Sequence, residues 1–252
     1  MEPYRITKNA DGLLIYTINR PEKRNAVNDD IMTGLEQAIL MANEPDVKAL
    51  VITGEGEKAF CSGGDLSVYQ HLKTEADALP MLSRMAKIVS ELLLCPKPTV
   101  ALMNGTAIGG GCEIAIACDF RLGRKGIKAG FVQGNLAITT GWGGGTILFE
   151  KFSSSIALQM LGKGEVYSTS ELEKLGFLDE TYEGNPIDHC YAFLEKILEK
   201  ETEVLEAYKE MLQRKWLASG ITNRIEREAE RCAVLWGGEV HNRKVDEFIH
   251  KS

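Results

Sequence analysis

Long apolar runs are absent from this sequence, and basic charge is in the minority. No stretch approaches the roughly 18 consecutive apolar residues of a membrane-spanning helix, and the polar start of the chain does not resemble a signal peptide. The 29 Lys and Arg residues are outnumbered by 36 Asp and Glu residues, which gives a formal net charge of -7. Since an acidic surface repels phosphate backbones, we expect neither a membrane nor a nucleic acid as partner.

Metal-binding patterns are missing as well. The six cysteines form no CxxC pair and several lie inside apolar runs, which is typical of buried, reduced thiols in a cytoplasmic protein. The histidines show no clustering along the chain: His71, His189, His241 and His250. We therefore predict a cytoplasmic protein without a metal site.

Nucleotide-binding loops are a third absence. The dinucleotide fingerprint GxGxxG does not occur, and neither does a P-loop. The triple glycine at 109–111 lacks the Lys and Ser or Thr that would follow it in a P-loop. A dinucleotide or nucleoside triphosphate site is therefore disfavoured.

What the sequence does contain is an alternation of strand and helix patterns. Tyr4 to Lys8 and Leu13 to Ile18 are β-rich runs joined by a turn sequence, and Val47 to Thr53 reads as a buried strand. Asn28, which lies between the second and third of these runs, is a candidate N-cap for a helix. The 252 residues are 44% hydrophobic and 26% charged, enough apolar material for a core. The strand–helix–strand order predicts an α/β fold.

The pattern changes along the chain. The next predicted elements are a helix from Leu79 to Leu94, a strand from Thr99 to Met103, a helix near Gly110 and a strand from Phe120 to Leu122. Beyond about residue 187 only helical patterns remain, with a last long helix beginning at Asn223 to Ile225. We predict an α/β core over residues 1–190 and a helical C-terminal oligomerisation region over residues 191–252.

The first segment that could carry chemistry is Lys58 to Leu66 (KAFCSGGDL), which follows a strand and precedes a helical stretch. Glycines let the backbone approach a ligand closely, and N–H groups at the start of a helix lack an internal partner. Such groups can donate to a ligand oxygen. A tight turn with Asp65 as an ordinary N-cap is an equally good interpretation of this segment alone.

The second segment is Asn104 to Asp119 (NGTAIGGGCEIAIACD), where three glycines again precede a helix. That helix, from Cys112 to Cys118, is apolar on every side except at Glu113, so it must be buried. A buried Glu is either paired for structure or placed to handle a proton, because burial raises its pKa. We favour the catalytic interpretation of Glu113.

Together with Asn19 to Val27 (NRPEKRNAV), these segments resemble the crotonase, or enoyl-CoA hydratase/isomerase, superfamily over nearly the whole chain. The resemblance implies an α/β spiral of ββα units with a helical C-terminal region, assembled into trimers or hexamers. It also implies that the backbone N–H groups of Gly64 and Gly110 hold the thioester oxygen of an acyl-CoA as charge develops on it. CoA would then be part of the substrate, with no separate cofactor.

Further contacts follow from the same resemblance. It places CoA near Arg24, Ala26 and Lys58. The basic side chains of Arg24 and Lys58 would meet phosphates, although a solvated surface charge is an alternative for each of the two. The remaining implied substrate contacts are Ser62, Asp65, Leu66, Asn135 and Trp142.

The sequence departs from the hydratases at their second glutamate. Asn135 stands in that position and Gln133 is a rival for it, and neither side chain titrates. The run Phe131 to Glu150 (FVQGNLAITTGWGGGTILFE) resembles the branch that decarboxylates ethylmalonyl- and methylmalonyl-CoA, as does Val234 to Glu239 (VLWGGE). In that branch Trp142 would supply an apolar wall, although a core aromatic is equally plausible.

Three functions remain open. The first is a lyase that stabilises a thioester enolate, with decarboxylation of a malonyl-type CoA thioester favoured, because that reaction needs no base to remove a proton. The second is an enoyl-CoA hydratase or isomerase of fatty-acyl-CoA metabolism. The third is a non-catalytic acyl-CoA-binding or RNA-binding member of the fold, which the intact Gly64, Gly110 and Glu113 and the acidic charge argue against.

Overall fold

Two sheets organise the chain. The computed structural model describes residues 2–251, with side chains as far as residue 247. The larger sheet has the strand order β1-β2-β3-β5-β7-β10. Its strands are β1 (Tyr4–Lys8), β2 (Leu13–Ile18), β3 (Ala49–Gly54), β5 (Thr99–Met103), β7 (Phe120–Arg124) and β10 (Glu180–Tyr182). Only β1 runs antiparallel to its neighbour.

The smaller sheet has the order β4-β6-β8-β9. Its strands are β4 (Ala59–Cys61), β6 (Thr106–Ile108), β8 (Lys128–Gly130) and β9 (Tyr167–Ser168). Three successive turns of the chain each contribute one strand to the larger sheet and the next strand to the smaller one: β3 and β4, β5 and β6, β7 and β8. The predicted α/β class and the spiral of ββα units are therefore confirmed.

Helices cover both faces of the larger sheet. The first seven are α1 (Asp29–Met41), α2 (Leu66–Tyr69), α3 (Glu75–Leu93), α4 (Gly110–Ala117), α5 (Gly144–Lys151), α6 (Ser154–Lys163) and α7 (Thr169–Lys174). The C-terminal four are α8 (Pro186–Leu198), α9 (Thr202–Ala218), α10 (Ile221–Trp236) and α11 (Glu239–Lys251). No helix in this described part of the chain is long and apolar enough to cross a membrane.

Strand alternation divides the core into two clusters. Leu50 and Ile52 of β3 face the main cluster, which includes α1, α3 and α4, while Ala49 and Val51 face a second cluster under α8. Successive side chains of a strand point to opposite faces, so a sheet covered on both sides buries all of them. All six cysteines are buried and none forms a disulfide.

Two helix boundaries differ from the prediction. Helix α3 begins at Glu75 rather than near Leu79, because Thr74 and Asp77 form a capping box one turn earlier. Helix α10 begins at Ile221, two residues before the predicted Asn223. It packs along α3 and contributes buried side chains to the main cluster, so the core draws on the C-terminal part of the chain as well.

Candidate active site

The two glycine-rich loops singled out in the sequence lie side by side. Gly63 and Gly64 follow β4, and Gly110 is the first residue of α4. A Cβ atom built on Gly63 would lie 3.2 Å from the Gly110 nitrogen. The φ angles of Gly63 (+91°) and Gly109 (+56°) fall where glycine is unstrained. Glycine is therefore required for both the turn and the close approach.

The N–H groups of Gly64 and Gly110 are held in place but not engaged. The N–H of Val27 donates to the Gly63 oxygen at 2.8 Å, and the N–H of Asp65 donates to the Val27 oxygen at 2.8 Å. This pairing fixes the backbone on both sides of Gly64. Neither N–H has an acceptor among the described residues, and both glycines line one cavity. A ligand oxygen there would meet two preorganised donors.

The indole ring of Trp142 packs across both glycines. A Cβ atom on Gly110 would lie 2.2 Å from Cζ3 of Trp142, and one on Gly64 would lie 3.7 Å from Cζ2. Trp142 is 4% exposed, and it lines the same cavity. The ring is thus both part of the core and an apolar wall beside the two N–H groups.

Glu113 lies one helical turn after Gly110, and its carboxylate is surrounded by donors. The N–H groups of Trp142 and Gly144 each donate to Oε2 at 2.9 Å. Oε1 accepts from Nε2 of Gln133 at 2.9 Å and from the N–H of Gly141 at 3.4 Å. Glu113 is only 2% exposed and lines the cavity.

These surroundings shift the ionisation of Glu113 in opposite directions. Burial raises the pKa of Glu113 to about 8, the carboxylate of Glu228 adds to the rise, and the backbone N–H donors oppose it. The four N–H donors around Glu113 stabilise its ionised form, whereas burial and the charge of Glu228 favour the protonated form.

The structure separates the two candidates for the second acid/base position. Gln133 contacts Glu113 directly, whereas the Nδ2 of Asn135 donates to the Gly164 oxygen at 2.7 Å. Asn135 is exposed and reaches only the cavity wall. The side-chain oxygen of Gln133 is buried without a hydrogen-bond partner in the described part of the chain. The amide beside Glu113 is therefore that of Gln133.

The cavity has a volume of about 430 Å³ and a largely apolar lining. Among its described lining residues Glu113 carries the only carboxyl group, and there is no Lys or Arg. Helices far along the chain contribute Cys232, Trp236 and His241, and burial lowers the pKa of His241. Trp236 lies in the segment Val234 to Glu239 already noted for its resemblance, whereas no sequence pattern indicated Cys232 or His241 as cavity residues. No three His, Cys, Asp or Glu side chains within residues 2–247 are arranged to hold a metal ion.

The other residues expected to contact substrate fall into two groups. Ser62 and Leu66 line the cavity. Asp65 does not; its carboxylate caps α2 by accepting from the Ser67 N–H at 3.0 Å, and it pairs with Nη2 of Arg20 at 2.7 Å. Both contacts are structural, and they hold the loop that carries Gly64.

The residues expected near CoA lie outside this cavity. Arg24 and Lys58 are exposed, while Ala26 is 6% exposed. The Arg24 oxygen accepts from the Ser62 N–H at 3.2 Å, which ties this turn to the glycine loop. Lys58 lines a second cavity of about 330 Å³ that includes Asn25.

Comparisons with known proteins agree on the family. A sequence model of the enoyl-CoA hydratase/isomerase family matches residues 8–232. The chain is 34% identical over 177 residues to a crotonyl-CoA hydratase of Syntrophomonas wolfei, covering 69% of this chain and 67% of that protein. It is 29% identical over 239 residues to an ethylmalonyl-CoA decarboxylase of Gallus gallus, covering 92% and 79% of the two chains.

Solved structures support the same fold. An enoyl-CoA hydratase/isomerase from Mycobacterium paratuberculosis superposes with a TM-score of 0.88 at 24% identity, covering 98% of each chain. An enoyl-CoA hydratase from Bacillus halodurans gives a TM-score of 0.88 at 23% identity, covering 97% of this chain and 99% of the other. Fold, glycine loops and family match converge, and the chain belongs to the enoyl-CoA hydratase/isomerase family of the crotonase superfamily.

Proposed function

We propose that this protein is an acyl-CoA lyase that decarboxylates a malonyl-type CoA thioester through an enolate. The observation that carries the proposal is the pairing of one carboxyl group with one amide: Gln133 occupies the place beside Glu113 at the cavity wall. Addition of water to an enoyl thioester requires a base for the water and an acid for the carbon. An amide can serve as neither near neutral pH.

Loss of CO2 needs fewer acid/base groups than the addition of water does. The bond between Cα and the substrate carboxylate breaks, and its electron pair forms the Cα–C double bond of the enolate, with the negative charge on the thioester oxygen. The N–H groups of Gly64 and Gly110 stabilise that oxygen, each by about 3 kcal/mol. A proton then passes from Glu113 to Cα, which gives the acyl-CoA product, and solvent returns a proton to Glu113.

The cavity lining suits a departing carboxylate. With no Lys or Arg among its described lining residues, the ionised carboxylate loses its water shell and gains no counter-charge, so its conversion to neutral CO2 is favoured. Trp142 contributes to this apolar wall. A neutral Glu113 avoids a second negative charge beside the substrate.

We infer that CoA leaves the cavity past the turn at residues 24–27, where Arg24 and Lys58 are exposed cations. Their side chains would meet the CoA phosphates. Ala26 would face the same ligand through its backbone. Assembly into a trimer or hexamer and a cytoplasmic location stay predictions.

A substrate panel with isotope labelling tests the reaction. Purified protein is incubated with methylmalonyl-CoA, ethylmalonyl-CoA and crotonyl-CoA in D2O, and products are identified by mass spectrometry and NMR. We expect propionyl-CoA and butyryl-CoA with one deuterium on a single face of Cα. Glu113→Gln is expected to lose that stereochemical preference, because solvent then protonates the enolate.

The relative from Syntrophomonas wolfei favours hydration as the second candidate function. Conversion of crotonyl-CoA to 3-hydroxybutyryl-CoA, with no CO2 above background from either malonyl-type thioester, would establish that alternative and overturn the decarboxylase proposal. If no thioester is turned over while CoA thioesters still bind, the third alternative, a non-catalytic acyl-CoA-binding protein, is correct.

A further inference from the structure

Two carboxylates from different helices share the N-terminal turn of α5. Glu113 accepts from the N–H of Gly144, the first residue of that helix. Glu228 of α10 accepts from the next two N–H groups, Gly145 at 3.1 Å and Thr146 at 2.6 Å. The N–H groups of a first helical turn carry the positive end of the helix dipole. The same positive end of the α5 dipole therefore stabilises both carboxylates.

We propose that Glu228 is a positioning residue for Glu113: it occupies two N–H groups of the α5 N-terminus and holds a negative charge beside the Glu113 carboxyl group. Glu228 is not among the residues that line the cavity, so it acts through Glu113 rather than on the substrate. The inference rests on the proposed function, in which a protonated Glu113 is the proton donor.

Glycines at the start of α5 make the shared arrangement possible. A Cβ atom on Gly144 would lie 2.4 Å from Cγ of Glu113, and one on Gly145 would lie 3.4 Å from Oε1 of Glu228. A side chain at Gly144 would force Glu113 away from the helix terminus. Glu113 thus explains the glycine at position 144, whereas at Gly145 the nearest atom to an added Cβ is Oγ1 of Thr140, at 2.6 Å.

The field of Glu228 is little screened at Glu113, because Glu113 is 2% exposed and Glu228 is itself partly buried. The other titratable groups that line the cavity with Glu113 are Tyr69, Cys232 and His241. Burial raises the pKa of Tyr69, so its phenol stays neutral. Burial raises the pKa of Cys232 to about 12 and raises that of Cys112 as well, so both thiols stay neutral. His241 has a lowered pKa and is neutral above pH 7. Among the described residues, Glu228 is the one charged side chain that shifts the pKa of Glu113.

The test compares pH–rate profiles of the wild type and Glu228→Gln. The amide keeps the shape of the side chain and removes its charge, so ionisation of Glu113 becomes easier. We expect the alkaline limb of kcat for methylmalonyl-CoA decarboxylation to move to lower pH by about one unit. Glu230→Gln removes the same charge from an exposed position of α10 and should leave the limb in place.

A second readout needs no substrate. The carboxyl stretch of Glu113 is titrated by infrared difference spectroscopy against the matching Glu113→Gln protein, in the wild type and in Glu228→Gln. A fall in the midpoint supports the inference whatever reaction the enzyme carries out. Unchanged midpoints in a folded Glu228→Gln protein overturn it. If that variant does not fold, Glu228→Met supplies a neutral side chain of similar length for both measurements.

The direction of the kinetic change separates the two proposals. If Glu113 acts as a base, as in hydration, the acidic limb of crotonyl-CoA turnover moves to lower pH in Glu228→Gln. That result supports the positioning role and overturns the decarboxylase. An infrared midpoint that does not fall, together with an active decarboxylase, overturns the positioning role alone.

Discussion

Gly110 combines two functions in one residue, a backbone donor and a surface for an aromatic ring. Its N–H is unengaged in the described part of the chain, and its Cα lies so close to Trp142 that no Cβ fits between them. The donor and the wall therefore depend on the same missing side chain. A substitution here disturbs both the N–H donor and the packing beside it.

Gly110→Ala is expected to lower kcat by about 100-fold or more, because the displaced N–H no longer meets the thioester oxygen. Overpacking against Trp142 should also cost about 1–3 kcal/mol of unfolding free energy. Turnover assays and denaturant unfolding measure the two effects. Gly162→Ala, where nothing lies within 4 Å of the added Cβ, should retain full activity. Equal activity in both variants would argue against a role for Gly110.

Gln133 places an amide where a second carboxyl group would contact Glu113. Gln133→Glu would place a second carboxyl group where Nε2 now lies, 2.9 Å from Glu113. We expect hydration of crotonyl-CoA to rise by about 100-fold, because a base and an acid are then both present. The absorbance of the enoyl thioester measures it. Asn135→Asp adds the same charge on the exposed neighbour and should give no such gain; the opposite ranking would assign the second position to Asn135.

Among the secondary-structure elements, the segment from Trp236 into α11 connects two sides of the cavity. Nε1 of Trp236 donates to the Leu72 oxygen at 2.8 Å, on the side of α2. On the other side, Nδ1 of His241 lies 2.7 Å from the Leu136 oxygen, next to the turn that carries Gln133. The Trp236 and His241 rings are 4.8 Å apart. This segment therefore covers the cavity between the side near Leu72 and the side near Leu136.

Trp236→Leu should widen the acyl site while keeping an apolar contact. We expect kcat/KM for a thioester with a longer α-substituent to rise about tenfold relative to methylmalonyl-CoA, since one methylene changes discrimination by that order. A series of alkylmalonyl-CoA substrates measures the ratio. Val234→Ala, exposed on the same helix, is the matched control. An unchanged ratio in Trp236→Leu would place the end of the acyl site elsewhere.

At the scale of the whole molecule, α9 exposes a row of apolar side chains. Val204, Tyr208 and Met211 are 45%, 65% and 63% exposed and recur at helical spacing. Exposed apolar patches mark interaction surfaces in proteins. The row agrees with the predicted assembly into trimers or hexamers, which stays a prediction.

Tyr208→Glu combined with Met211→Glu should reduce the mass measured by light scattering to that of a smaller species, because charge would be buried at the interface. Leu40→Glu is a control on α1, where the native leucine is 73% exposed, and it should leave the mass unchanged. A wild-type chain that is monomeric at all concentrations would contradict the assembly itself.

The α/β class, the two glycine loops and the burial of Glu113 could be predicted from local signals: strand and helix periodicity, glycine runs and an acid within an apolar helix. That Gln133 rather than Asn135 faces Glu113 depends instead on how distant segments pack. The same holds for Glu228, Trp236 and His241, which reach the site from the C-terminal helices. These contacts join positions up to 164 residues apart, and their geometry depends on how helices pack on one another, which no local pattern encodes.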